Sequence, residues 1–116
     1  MKPSLLFIVS SDPRVSPRPA EAIRIAAGVG TWKKANVRIY LRGPAVLALT
    51  EYPDELIDED NFTRYLPITR DFGHPVYVEK SADHLGELGE AILPYEEVDE
   101  ARLAKMCSDS TTILHF

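Results

Sequence analysis

Six residues suited to holding an anion fall into three short segments of the chain: Ser10, Ser11 and Arg14 in the first, Arg42 in the second, Lys80 and Ser81 in the third. Hydroxyl donors beside guanidinium or ammonium groups are the usual partners of phosphate, sulfate and carboxylate, because charge-assisted hydrogen bonds are the strong ones. Each segment directly follows an apolar run, so three parallel strands would bring all six residues to one edge of a sheet. The stretch Ser10 to Pro19 contains no glycine, which excludes a Walker or dinucleotide loop, where glycine lets the backbone approach the phosphates. The chemistry that remains is a small anion held by side chains, next to the start of the first helix, where unpaired backbone N–H groups add to the attraction.

Cys107 is the single thiol and invites a sulfur-transfer reading. It follows Leu103 by one helical turn and lies next to Met106, on what should be a packed face, where cysteine behaves as a small hydrophobe. It also falls near a helix C-terminus, whose negative end disfavours a thiolate. A core role is expected, with a persulfide carrier using Cys107 as the alternative. His74, His84 and His115 are too scattered to form a ligand motif, so no metal is expected, and no cofactor. Glu96, Glu97, Asp99 and Glu100 read as the solvated start of a helix; an acidic interaction surface is the other reading of the same residues.

The elements that would position these groups follow from hydrophobic periodicity. Leu5 to Val9 is a continuous apolar run, as in a strand buried on both faces. Val37, Ile39 and Leu41 alternate with Arg38, Tyr40 and Arg42 as a second strand would, ended by Gly43 and Pro44. Pro75 to Val78 is a third strand, Ile92 to Tyr95 a short fourth weakened by Pro94 and so placed toward an edge, and Thr111 to Phe116 the last. Between them lie a helix from Pro17 to Lys33 introduced by Ser16, a short helix over Ala45 to Leu49, and a helix containing Phe62, Tyr65 and Leu66 that Pro67 should kink or end. Asp83 to Glu90 and Asp99 to Cys107 are two further helices. Strands and helices in alternation predict right-handed crossovers and a single open, mostly parallel five-stranded sheet with helices on both faces.

Composition agrees with one α/β domain over residues 1–116. The chain is 45% hydrophobic and 27% charged, an ordinary globular mixture, and its length suits one core. A net charge of -5 argues against nucleic-acid binding, which needs clustered Lys and Arg. The longest apolar run is far shorter than the roughly 20 residues that span a bilayer, so no membrane partner is expected. The absence of a signal-peptide pattern leaves the cytoplasm as the expected location.

Three stretches resemble the DsrE/DsrF-like family of small α/β proteins. The opening strand and polar loop before Ala22-Ile23-Arg24-Ile25-Ala26 are similar to the family's first strand–helix unit. Ile39-Tyr40-Leu41-Arg42-Gly43-Pro44-Ala45-Val46 looks like its second strand and turn, and Asp109 to Phe116 like its closing strand. The resemblance spans nearly the whole chain and implies a homo-oligomer; an apolar surface near Trp32, Phe62, Tyr65 or Leu66 is the expected contact. In the family's sulfur-relay members a cysteine after the third strand carries persulfide sulfur, whereas here that region reads Val78-Glu79-Lys80-Ser81-Ala82-Asp83. The expectation is an accessory, non-catalytic homo-oligomeric protein holding a small anion at the carboxyl edge of its sheet.

Overall fold

The computed structural model describes residues 2–116. Five strands, β1 (Ser4–Val9), β2 (Asn36–Leu41), β3 (Val76–Glu79), β4 (Tyr95–Val98) and β5 (Thr112–His115), form one sheet in the order β4-β3-β2-β1-β5. Every neighbouring pair is parallel. Four helices make the crossovers: α1 (Arg18–Thr31), α2 (Glu59–Thr69), α3 (Leu85–Leu88) and α4 (Glu100–Asp109), with a 3₁₀ segment over Gly43–Leu49.

Alternation along the strands sends side chains to two separate cores. Phe7, Val9, Val37, Ile39, Leu41, Val76 and Val78 pack with α1, α2, α3 and the 3₁₀ segment. Leu6, Ile8, Tyr40, Tyr77 and Val98 face the other way, against Leu103 and Met106 of α4. The apolar run of β1 is thus explained by burial on both sides.

Local chemistry sets the helix ends. The Ser16 hydroxyl accepts the Arg18 N–H at 3.2 Å, and Pro19 sits in the first turn, where its missing donor is not needed. Small side chains at Ala22, Ala26 and Ala27 let α1 approach the sheet, and Gly30 lies so close to Phe72 that a Cβ there would meet the ring at 2.2 Å. The α1 helix ends at Thr31, and Lys33 just past it takes a left-handed conformation (φ 57°). Asp99 caps α4, its carboxylate accepting the Arg102 N–H at 2.8 Å.

Three expectations are corrected. Pro67 neither ends nor delimits α2: it lies inside the helix, on its exposed side, and the helix runs on to Thr69 before Gly73 terminates the segment at φ 88°. Tertiary packing of Phe62 and Leu66 outweighs the lost backbone bond. The fourth strand runs from Tyr95 to Val98 and not from Ile92 to Tyr95, so Glu96 and Glu97 belong to β4 and not to a helix start. As the edge strand of the sheet, β4 keeps both carboxylates within reach of solvent. Phe62 and Leu66, expected on a contact surface, are 1% and 0% exposed and belong to the main core. Burying each is worth roughly 1.5–3 kcal/mol. Trp32 remains on the surface.

Candidate functional site

The carboxyl ends of β1, β2 and β3 carry the predicted residues, and there Arg14 and Arg42 meet carboxylates. After β1, the chain turns at Asp12, whose backbone oxygen accepts the N–H groups of Val15 and Ser16 at 3.2 and 3.0 Å. The Asp12 carboxylate takes the Arg14 N–H at 2.9 Å and its guanidinium at 2.9–3.3 Å. Arg14's hydrogen bond holds the Asp12 carboxyl below the usual carboxylate range. Arg14 also faces Glu87 of α3, at 3.9 Å. The Ser11 hydroxyl donates to the Phe116 carbonyl oxygen at 2.6 Å, and Arg18 donates to the carbonyls of His115 and Phe116. Both side chains thus anchor the segment after β5. Ser10 is exposed.

After β2, Arg42 lies 5.7 Å over the Tyr40 ring, with one nitrogen 2.9 Å from Glu100 and its Nε 3.6 Å from Glu79. That Nε is buried and, among the described residues, has no hydrogen-bond acceptor. Glu79 is drawn instead to the Gly43 N–H, 3.1 Å away, where the backbone turns through φ 56°. Burial raises the Tyr40 phenol above its ordinary value, against the opposing effect of Arg42. After β3, Lys80 is exposed and, among the described residues, has no carboxylate in salt-bridge range. Ser81 takes φ 61°, and its N–H donates to Glu97 at 3.0 Å.

Arg42 therefore joins the ends of β2 and β3 to the start of α4, while Arg14 joins the β1 loop to α3. Ser10, Lys80 and the Ser81 hydroxyl are left as the predicted side chains without an internal partner among the described residues. The carboxylates that sequence reasoning treated as solvation each have a structural partner: Glu96 pairs with Arg102, Glu97 with the Ser81 N–H, Asp99 with the Arg102 N–H and Glu100 with Arg42. The partners were not legible because each pairing joins residues on different elements or spans a turn.

Cys107 is half-buried in the last turn of α4, packed against the smaller core. Since α4 starts beyond the carboxyl end of β4 and returns to the start of β5, this turn lies toward the amino edge, away from the segments just described. His74 stacks on Tyr77 with ring centres 6.1 Å apart, and burial lowers its pKa below the ordinary histidine value. No helix among the described residues is long and apolar enough to cross a membrane.

No protein-family model matches the chain, and no curated protein matches it in sequence. In three dimensions it superposes on the crystal structure of the ychN protein from E. coli, with a TM-score of 0.78 over 100% of both chains at 18% identity. The chain shares the ychN fold. At that identity the likeness speaks for the architecture alone: the strand order, the parallel sheet and the helices on both faces.

Proposed function

We propose that this chain acts without covalent chemistry, as an accessory DsrE/F-like protein that self-associates and takes a small anionic ligand at the carboxyl edge of its sheet. The observation that carries the first part is the position of the thiol. A sulfur carrier needs an accessible, ionisable cysteine, but the turn after β3 is Glu79-Lys80-Ser81, held by Glu97, and Cys107 packs against the smaller core. The anion would meet Lys80 and Ser10, which are uncommitted among the described residues, and Arg14, whose exposed ion pairs with Asp12 at 2.9 Å and Glu87 at 3.9 Å are of a kind worth only about 0–1 kcal/mol. Arg42 would act from behind as a fixed positive charge.

The test is thermal unfolding with phosphate, sulfate and nucleoside phosphates. A ligand at about one hundred times its Kd stabilises by about 2.7 kcal/mol, and that gain should fall away in Lys80→Ala and Arg14→Ala. A melting temperature indifferent to every anion would remove the ligand reading. Rapid labelling of native Cys107 by a thiol reagent, with an apparent pKa below the usual ~8.5, would replace it with sulfur transfer.

A further inference from the structure

The amino edge of the sheet, opposite the candidate ligand edge, holds a cavity of about 450 Å³ between the last turn of α1, the start of β2 and the end of α2 with the turn after it. Small-molecule sites run from roughly 300 to 1,000 Å³. The lining has two kinds of surface. Val37, Ile68 and Phe72 are the apolar part, and the Phe72 ring lies so close to the bare backbone of Gly30 that no side chain would fit between them. Lys2, Lys33 and Asn36 are the polar part, joined by Asp71. Among the described residues neither lysine has a carboxylate in salt-bridge range. The backbone of Lys33 is a separate observation. It takes φ 57° just past the end of α1, where a Cβ is unfavourable and glycine is the usual residue. A positive charge there suits the helix dipole, but Lys34 supplies one without a left-handed backbone. A strained conformation points to use of the side chain it carries, and Lys33 belongs to the cavity lining.

A ligand that satisfies both surfaces has one carboxylate and an apolar body. The ammonium groups of Lys2 and Lys33 and the Asn36 amide suit a carboxylate, because charge-assisted hydrogen bonds are the strong ones. Val37, Ile68 and Phe72 suit a ring or a branched chain, whose burial adds a non-directional attraction. Asp71 in the same lining repels a second negative charge, which disfavours dicarboxylates and the phosphate dianion. We propose that this cavity binds a small aromatic or branched monocarboxylate, with its carboxylate toward Lys2 and Lys33 and its apolar body against Phe72. It is a second site, at the opposite edge of the sheet from the anion site proposed above, and does not depend on it.

The probe is phenylacetate, with its uncharged isostere phenylacetamide and inorganic phosphate as controls, followed by backbone amide chemical shifts of the isotope-labelled full chain. Phenylacetate should move the Gly30, Thr31, Val37 and Phe72 amides, and phenylacetamide should bind about tenfold more weakly, as the loss of a hydrogen bond to a charged group implies. Lys33→Gly should raise the melting temperature of the unliganded protein, because glycine adopts a positive φ freely, and should weaken phenylacetate by about the same tenfold. Lys33→Arg, which keeps the charge, should retain binding. Ile68→Asp, at an exposed position, should abolish it with unchanged far-ultraviolet circular dichroism. Arg14→Ala and Lys80→Ala should leave phenylacetate binding intact while removing any response to phosphate, so the two sites fail separately. If millimolar phenylacetate moves none of the four amides, or phenylacetamide binds equally well, the proposal is overturned. A Lys33→Gly variant that is more stable yet binds phenylacetate unchanged would overturn it too, by removing the carboxylate end of the site.

Discussion

The two faces of the sheet are covered in different ways. On one, α1 and α2 pack against each other and against an apolar strand surface through Ala, Ile, Phe and Leu side chains. On the other, α4 alone covers a few residues, flanked by two similar polar arrangements: Arg42 over Tyr40 and paired with Glu100, and Arg102 over Tyr77 and paired with Glu96. Tyr40 and Tyr77 are register partners on β2 and β3, so the two arrangements are neighbours. The first face is held by buried area, which is non-directional and large. The second depends on a helix cap and exposed ion pairs, each worth little alone but directional enough to orient a short helix.

The largest effect that would sharpen this contrast is Phe62→Ala. Emptying a fully buried site on the double-helix face should destabilise the protein by about 3–5 kcal/mol, measured as a lower denaturant midpoint; a loss under about 1 kcal/mol would break the contrast. Gly30→Ala comes next. The added Cβ must push the Phe72 ring aside, and overpacking of this kind costs about 1–3 kcal/mol, which Phe72→Leu should partly recover.

On the α4 face, Asp99→Ala should cost about 1 kcal/mol through the lost cap. Hydrogen exchange should then quicken in α4 and leave α1 and α2 unchanged; faster exchange in all three would mean that the faces do not respond separately. The smallest effect concerns His74, stacked on Tyr77 and near Arg38. Its folded pKa is lowered by burial, so below the unfolded value of about 6.5 the unfolded chain binds more protons and stability declines as pH falls toward the folded pKa. Above that value the difference vanishes. His74→Asn should flatten the slope below about pH 6.5, and an unchanged slope would assign it to another group.

Much of the architecture was readable from local pattern. The apolar run of β1, the alternation of β2 and the Ala-rich face of α1 are periodicities that report burial directly, and they sufficed for an open sheet with helices on both faces. The errors share a cause. Pro67 and the pair Glu96 and Glu97 carry strong local signals against helix and strand, and these were overridden by contacts that sequence spacing does not reveal. Pro67 is carried by the buried Phe62 and Leu66 on its own helix, and the β4 carboxylates by an edge position and by Arg102 and the Ser81 N–H.

By itself, the sequence determined which residues gather at the carboxyl ends of the strands, because parallel order places every strand-ending loop on one side. Only the tertiary structure decided how much of that charge is available. Arg42 comes to rest against Glu79 and Glu100 from other segments of the chain, and Ser11 against Phe116, because such pairing depends on distances across elements, while Arg14 is held by Asp12 of its own loop. For the same reason the cavity lined by Gly30, Val37, Ile68 and Phe72 exists only once α1, α2 and β2 have been brought together.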